Sequence, residues 1–245
     1  MKEIDINCDL GEGGDYDHLL MPLISSCNIA CGGHAGDIKT MRRALNLAFE
    51  NNTNIGAHPS YPDRENFGRK SMQIAAKDLK KSIRDQVISL QEIAKAKGVK
   101  LHHVKPHGAL YNDAAKDENI AQIIVESLLE IDGDFSLFVP LNSVISKVAK
   151  DKINIIFEGF ADRNYEVDYS LVSRSKTNAV IEDQEAVFKH VFSMFQDKKI
   201  ITKSGQILPC NASTFCLHSD TKNSVEILQF LHERFSEKNI KIKNT

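Results

Sequence analysis

With 245 residues, 42% of them hydrophobic and 26% charged, the chain can bury a full core and is too apolar for a disordered or fibrous polymer. A formal net charge of -2 without any long basic block argues against nucleic acid or an anionic membrane surface as partner. The charged start Met1-Lys2-Glu3-Ile4-Asp5 is unlike a signal peptide, and no segment has the roughly 18 to 20 apolar residues of a membrane span.

Five cysteines, an odd number, fit a reducing compartment better than a disulfide framework, so the expectation is one cytoplasmic domain spanning residues 1–245. Cys27 and Cys31 lie close together, but no second pair completes a zinc site. Cys8, Cys31 and Cys216 sit in or beside apolar runs and read as small buried hydrophobes.

The first predicted strand is Glu3–Leu10, where Asp5, Asn7 and Asp9 alternate with Ile4, Ile6, Cys8 and Leu10 and so share one face. A second strand, Cys27–Cys31, precedes a helix whose apolar positions are Ile38, Met41, Leu45, Ala48 and Phe49, with Asp37 as N-cap. A third strand, Asn54–His58, is followed by a helix over Met72–Lys97. The fourth, Leu101–His107, puts His103, Lys105 and His107 on one face and His102 on the other. Then come a helix at Ala114–Ile131 and strands at Ser136–Pro140 and Ile153–Glu158. A helix at Gln184–Gln196, a strand at Thr214–His218 and a helix at Asn223–Glu237 complete the series. The polar end, residues 238–245, reads as a frayed tail. About seven strand–helix units predict an α/β fold with a parallel sheet, closed or nearly closed into a TIM-like barrel one unit short of eight. A doubly wound open sheet is the alternative.

The strand ends carry the chemistry. Gly11-Glu12, Gly32 to Asp37, His58 to Asp63, His107 to Asn112, Glu158 to Arg163 and His218-Ser219-Asp220 all fall at strand C-termini. In parallel α/β folds those ends share one face, where binding and catalysis occur. Helix-covered strands with polar inward faces also need partners or a ligand, because burying unpaired polar groups is costly. Taken singly, His34 and His58 read as capping or loop histidines, whereas the flanks of Lys105, His103-Val104 and Pro106-His107-Gly108, favour an interior lysine oriented toward an anion over a snorkelling surface one. Arg69 and Arg163 either fork onto a carboxylate or phosphate or cap a helix. His18, His190 and His232 receive no role, and His102 reads as structural. There is no G-x-x-x-x-G-K-[ST] loop, strand-linked G-x-G-x-x-G, G-x-S-x-G elbow or H-E-x-x-H helix. Asp and His near strand ends can ligate a divalent cation, but their spacing is not diagnostic.

Asp5-Ile6-Asn7-Cys8-Asp9-Leu10-Gly11-Glu12, the stretch from Asn28 to Asp37 and Gly56-Ala57-His58-Pro59 resemble the 5-oxoprolinase A-subunit family, also called LamB/YcsF. His103-Val104-Lys105-Pro106-His107-Gly108-Ala109-Leu110-Tyr111-Asn112 is the most specific stretch, and Phe67-Gly68-Arg69, Glu158, Phe160 to Arg163 and Tyr165 extend it. The resemblance runs in order along nearly the whole chain. Two loops depart from it: Gly13-Gly14-Asp15 replaces Ser-Phe-Gly, and His218-Ser219-Asp220-Thr221 stands for His-Gly-Asp-Thr.

The resemblance implies a distorted seven-stranded β/α barrel similar to polysaccharide-deacetylase barrels. It also implies ATP-dependent opening of 5-oxo-L-proline to L-glutamate with partner subunits B and C, which bind or activate the nucleotide jointly with this chain. Within that chemistry Lys105 and Arg69 are candidates for binding substrate anions. Asp9, supported by His34 or His58, is the candidate base. Asp5, Asn7 and His107 would orient substrate, while Glu12, His103, Asn112, Glu158 and Arg163 would line its site. Two rival readings stand beside this one. The first is a divalent-metal-dependent amide hydrolase or deacetylase using Asp9, His34 and His58. The second is a non-catalytic ligand-binding regulatory subunit.

Overall fold

In the computed structural model, which describes residues 1–243, the alternating start of the chain becomes β1 (Lys2–Leu10). A short helix α1 (Asp17–Leu20) and a 3-10 turn lead to β2 (Ser26–Ala30), and α2 (Ile38–Glu50) returns to β3 (Asn54–His58). Next come α3 (Ala76–Ala96), β4 (His103–Val104), α4 (Gly108–Ala114), α5 (Glu118–Leu129) and β5 (Ser136–Pro140). Beyond them lie α6 (Val144–Ala149), β6 (Ile155–Phe160), α7 (Gln184–Gln196) and a hairpin of β7 (Lys199–Ile201) with β8 (Ile207–Pro209). The chain finishes with β9 (Thr214–Cys216), α8 (Ser224–Glu237) and β10 (Ile240–Ile242).

Seven strands run parallel in the order β1-β2-β3-β4-β5-β6-β9. The pairs Asp5↔Thr214, Ile6↔Phe215 and Asn7↔Cys216 join β9 back to β1. That closure makes a barrel and excludes the open doubly wound sheet. The seven strands are the seven apolar runs, with ends displaced by a few residues. β4 is the shortest because Pro106 has no N–H to give, although Lys105 N and His107 N still donate to Ala57 O (2.9 Å) and Pro59 O (2.8 Å) beyond it.

Local signals set the helix ends. Asp37 caps α2 in a capping box: it accepts from Thr40 N at 2.8 Å while its own N–H donates to Thr40 Oγ1 at 2.7 Å. The single helix expected over Ala114–Ile131 is interrupted, because Asp117 accepts from the amides of Asn119 and Ile120 and starts α5 afresh. The expected frayed tail is also corrected. Ile240 and Ile242 are buried around exposed Lys241 and pair with Lys2–Ile4, an alternation that earns a strand; Asn244 and Thr245 lie outside the described residues. Among the described residues no helix is long and apolar enough to cross a membrane.

The outward faces of the barrel, such as Ile6, Cys8, Leu10 and Ile29, join one apolar core with Leu45, Ile83, Val87, Leu90 and Leu231 of the helices. The inward face is different in kind. Instead of branched aliphatics it carries Asn7, Asp9, Asn28, His103 and Lys105, all buried. Gly56 makes room for this content: a Cβ there would collide with His103 Nε2. The His103 ring has little freedom to retreat, being stacked on Phe138 at 3.9 Å and bonded through Nε2 to Asn28 Oδ1 at 2.7 Å. Gly56→Ala should therefore cost at least about 1–3 kcal/mol in urea denaturation, the usual penalty for overpacking. Gly14→Ala, where an added Cβ meets nothing within 4 Å, is the control and should be near neutral. Equal melting of the two variants would contradict the assigned crowding.

Candidate active site

Strand periodicity builds the floor of the site. Asn28, inward on β2, donates from Nδ2 to Asn7 Oδ1 and Asp9 Oδ1, both at 2.8 Å, and accepts from His103. Asn7 Nδ2 in turn donates to Glu158 Oε1 (3.0 Å) and Thr214 Oγ1 (2.8 Å). Asp5 accepts from Ser26 Oγ at 2.9 Å and from the Thr214 hydroxyl. Asp5, Asn7 and His103 thus occupy the barrel interior outside the lining of the main cavity, where they hold the residues above them.

Above the floor sits Lys105. Its Nζ lies 2.9 Å from Asp9 Oδ1, 3.0 Å from Glu158 Oε1, 3.3 Å from Asn7 Oδ1 and 3.0 Å from Cys216 Sγ. Four acceptors surround three N–H bonds, so the ammonium is fully engaged. Burial alone would push it down, but the Asp9 charge, with Cys216 and Glu158, outweighs burial and holds it well above the ordinary lysine range. Asp9 mirrors it. Burial would raise its carboxyl, yet the charges of His58 and Lys105 hold it well below the usual range.

Behind Asp9 a second group gathers from the C-terminal ends of β1 to β4. Glu12 Oε1 lies 2.9 Å from His34 Nε2, 3.4 Å from His107 Nδ1 and 3.9 Å from His58 Nε2. His58 Nδ1 faces the Lys105 carbonyl at 2.6 Å, and His107 Nε2 faces the Phe67 carbonyl at 3.0 Å, so each donates there. Their remaining nitrogens, His58 Nε2 and His107 Nδ1, face each other at 3.0 Å. Gly68 lets the Phe67 turn come this close: it has φ +61°, and a Cβ would fall 2.9 Å from His34 Cβ. Burial, then the His58 charge, pushes His34 down to about 3. Burial likewise pushes His107 well down, while burial and the Asp9 charge push Glu12 up. These four residues can hold a metal ion, their ligand atoms all lying within 4.8 Å of one another.

A cavity of about 640 Å³ opens over Asp9, His58, Lys105 and Glu158. Tyr111 and Phe160 wall it, with Asn112, Arg69, Arg163 and His218 also in its lining. The Tyr111 hydroxyl and Glu158 Oε2 are buried without a hydrogen bond of good geometry; burial and the Glu158 charge push the phenol well up. Arg163 is committed to structure through two donors, Nε to Ala179 O at 3.2 Å and Nη2 to Val172 O at 2.6 Å, which fasten the segment beyond it. At the rim Asp220 pairs with Arg69 at 2.6 Å and Arg174 at 3.5 Å.

Several neighbours of these groups receive no role from sequence reasoning. Asn28 is signalled only by an amide in an otherwise apolar strand. Cys216 is buried as expected but also touches Lys105. Asp162 bonds His218 Nδ1 at 2.9 Å and His218 N at 3.0 Å, and accepts from the Thr221 hydroxyl. Both residues lie in strand-end loops, and only a fold brings them together. Arg174 carries no local signal at all.

A curated 5-oxoprolinase A subunit from Haemophilus influenzae is 41% identical over 243 residues, covering 99% of each chain. The crystal structure of a lactam utilization protein from Thermus thermophilus is 30% identical and matches with a TM-score of 0.92, over 99% of this chain and 100% of that one. A family 4 carbohydrate esterase from Streptomyces lividans, 9% identical with a TM-score of 0.51 over 98% and 91% of the chains, shares the fold alone, the deacetylase-like barrel. The LamB/YcsF family model matches residues 4–245, and the chain belongs to that family.

Proposed function

We propose that this chain is the A subunit of an ATP-dependent 5-oxoprolinase, opening 5-oxo-L-proline to L-glutamate with partner subunits B and C. The observation that carries the reading is the end-to-end likeness to a relative of that name, joined to a cavity at the mouth of the barrel that Asp9, His58, Lys105 and Glu158 line. A lactam carbonyl is deactivated by amide resonance. Phosphorylating its oxygen with ATP gives an imidate phosphate. Water adds to that carbon, the ring C–N bond breaks as the nitrogen takes up a proton, and a second water hydrolyses the resulting acyl phosphate to L-glutamate and phosphate. With no phosphate-cradling motif in the sequence, nucleotide activation fits best as a task shared with the partners. A cytoplasmic location suits five buried, unpaired cysteines.

The geometry favours some role assignments over others. Lys105, with every N–H engaged, serves better as the post that fixes Asp9 and Glu158 than as an anion receptor. Two arginines share Asp220 at the rim, so one positive charge is left over for a substrate carboxylate or phosphate, and Arg69 keeps that role. Asp9 is held too acidic to be a strong base, and its Oδ1 is engaged by Asn28 and Lys105. His218, oriented by Asp162 through Nδ1, leaves Nε2 to take a proton from water. Asp9→Asn should still lower turnover about a hundredfold through disordering of Lys105 and His58.

The test is glutamate release from 5-oxo-L-proline with this chain alone, then with both partners, each with and without ATP. Glutamate formed only in the complete mixture supports the reading. Its absence, with folded and associated partners, sinks it. The Glu12–histidine group favours a second reading, amide hydrolysis without nucleotide, which predicts activity in the ATP-free arm instead.

A further inference from the structure

His58 and His107 pose a proton-counting problem that the oxoprolinase reading does not use. Backbone carbonyls of Lys105 and Phe67 claim the N–H of one nitrogen on each ring. With both rings neutral, His58 Nε2 and His107 Nδ1 are therefore two lone pairs 3.0 Å apart, whereas a charged His58 beside Asp9 carries a proton on Nε2. Both lone pairs also face Glu12 Oε1, at 3.9 and 3.4 Å, and His34 Nε2 reaches the same oxygen at 2.9 Å. Such a convergence holds either a shared proton or a cation.

Geometry separates these. A four-coordinate ion with bonds of about 2.0–2.1 Å has ligand-to-ligand edges of about 3.3 Å. Four edges of the group, at 2.9, 3.0, 3.4 and 3.9 Å, bracket that value. The two carbonyls hold the rear nitrogens of His58 and His107, the support that metal-binding imidazoles need to fix tautomer and ring plane. The His34 ring is stacked on His107 at 3.7 Å and directs Nε2 to Glu12, while its Nδ1 is buried with no hydrogen-bond partner. A second trio, Asp9, Cys216 and His218, brings its donors equally close, but Lys105 Nζ already stands against both Asp9 Oδ1 and Cys216 Sγ.

We propose that Glu12, His34, His58 and His107 form a site for one divalent first-row transition ion. Three imidazole nitrogens with one carboxylate select zinc, cobalt or nickel over magnesium and calcium, which prefer all-oxygen shells. The ion would sit beside Asp9 Oδ2, itself 3.4 Å from His58 Nε2, and so next to the main cavity.

The test uses the full chain, stripped with chelator and dialysed, and reads binding without any turnover, so its outcome is independent of the oxoprolinase assay. Calorimetric titration with Zn²⁺ should give one ion per chain and a raised melting temperature, while Mg²⁺ at the same concentration should give neither. Co²⁺ should produce visible absorption bands of a nitrogen-ligated ion. Glu12→Gln and His107→Asn should each weaken Zn²⁺ binding at least about a hundredfold, the upper end of what outer-shell changes alone cost. Circular dichroism verifies that these variants fold, and Glu237→Gln on the exposed end of α8 should bind as the parent does. A parent chain that takes up no stoichiometric Zn²⁺ or Co²⁺ would overturn the site in favour of a shared proton. Undiminished uptake by the folded Glu12→Gln/His107→Asn double variant would overturn it as well.

Discussion

Replacing Lys105 by Met is expected to remove about 3–5 kcal/mol of stability and to lower turnover of the reconstituted enzyme about a hundred- to thousandfold. Methionine keeps a four-atom stem and removes the terminal ammonium with its charge and three donors. Asp9 and Glu158 then remain buried 2.9 and 3.0 Å from where the ammonium stood, with no counter-charge on that side. The parent and the variant should differ in how stability depends on pH. In the parent, Lys105 titrates above its unfolded value, so its contribution is complete below about pH 10.4 and is lost as pH rises through the folded value. Asp9 titrates below its unfolded value, so its contribution is present above about pH 3.9 and is lost as pH falls through the folded value. Stability is therefore flat with respect to this pair across the neutral range. In Lys105→Met the deserted Asp9 carboxylate gains by taking up a proton, and the variant should be more stable at pH 5 than at pH 8. Urea denaturation at those two pH values checks the sign. A variant equally stable at both, with turnover retained, would show that the ammonium is not the post on which the site is built.

Why so much of this centre was legible comes down to period two. Asp5, Asn7 and Asp9 alternate with Ile4, Ile6 and Cys8, and His103, Lys105 and His107 do so along the fourth run; a helix-covered strand can tolerate that only if the polar side is paired. Sequence reasoning could therefore collect the residues of the barrel mouth, but it could not rank them by depth. Asp5 and His103 share faces with Asp9 and Lys105, yet a rise of about 3.3 Å per residue places His103 one layer and Asp5 two layers below the cavity. Nor could it assign pairs that depend on closure: Glu158 meets Lys105 and Asn7 because the ring closes, not because of any spacing along the chain. The tail shows the opposite failure. Ile240 and Ile242 alternate with lysines in a segment judged by its polarity, and the edge residues Lys2–Ile4 were there to be paired. Asp117 shows how one capping carboxylate divides an apolar period that otherwise runs on.

Asp162→Asn should lower turnover about a thousand- to ten-thousandfold while leaving the cavity's shape unchanged, if His218 is the proton acceptor. As a carboxylate, Asp162 accepts from His218 Nδ1 at 2.9 Å, from His218 N at 3.0 Å and from the Thr221 hydroxyl. Burial would raise its pKa, but the His218 charge and these hydrogen bonds outweigh burial and hold it below the ordinary range. An asparagine can keep the bonds from Thr221 and the His218 amide through its oxygen. Its NH₂ must then face His218 Nδ1, which reverses the imidazole tautomer and puts a hydrogen on Nε2, where a base needs a lone pair. Nitrogen NMR of labelled histidine reads that reversal directly, apart from any assay. The stability consequence has a definite sign. A carboxyl titrating below its unfolded value contributes stability above about pH 3.9 that is lost as pH falls through the folded value. The variant should therefore be less stable than the parent at pH 7, with the gap narrowing in the acid range below pH 4. His218→Gln should lower turnover by a similar factor, and the double variant should be little worse than either, because the two residues act as one unit. Full turnover in folded His218→Gln would remove the imidazole from the chemistry and return the base to the Asp9 side of the cavity. Additive losses in the double variant would mean that Asp162 acts on the site by some route other than His218.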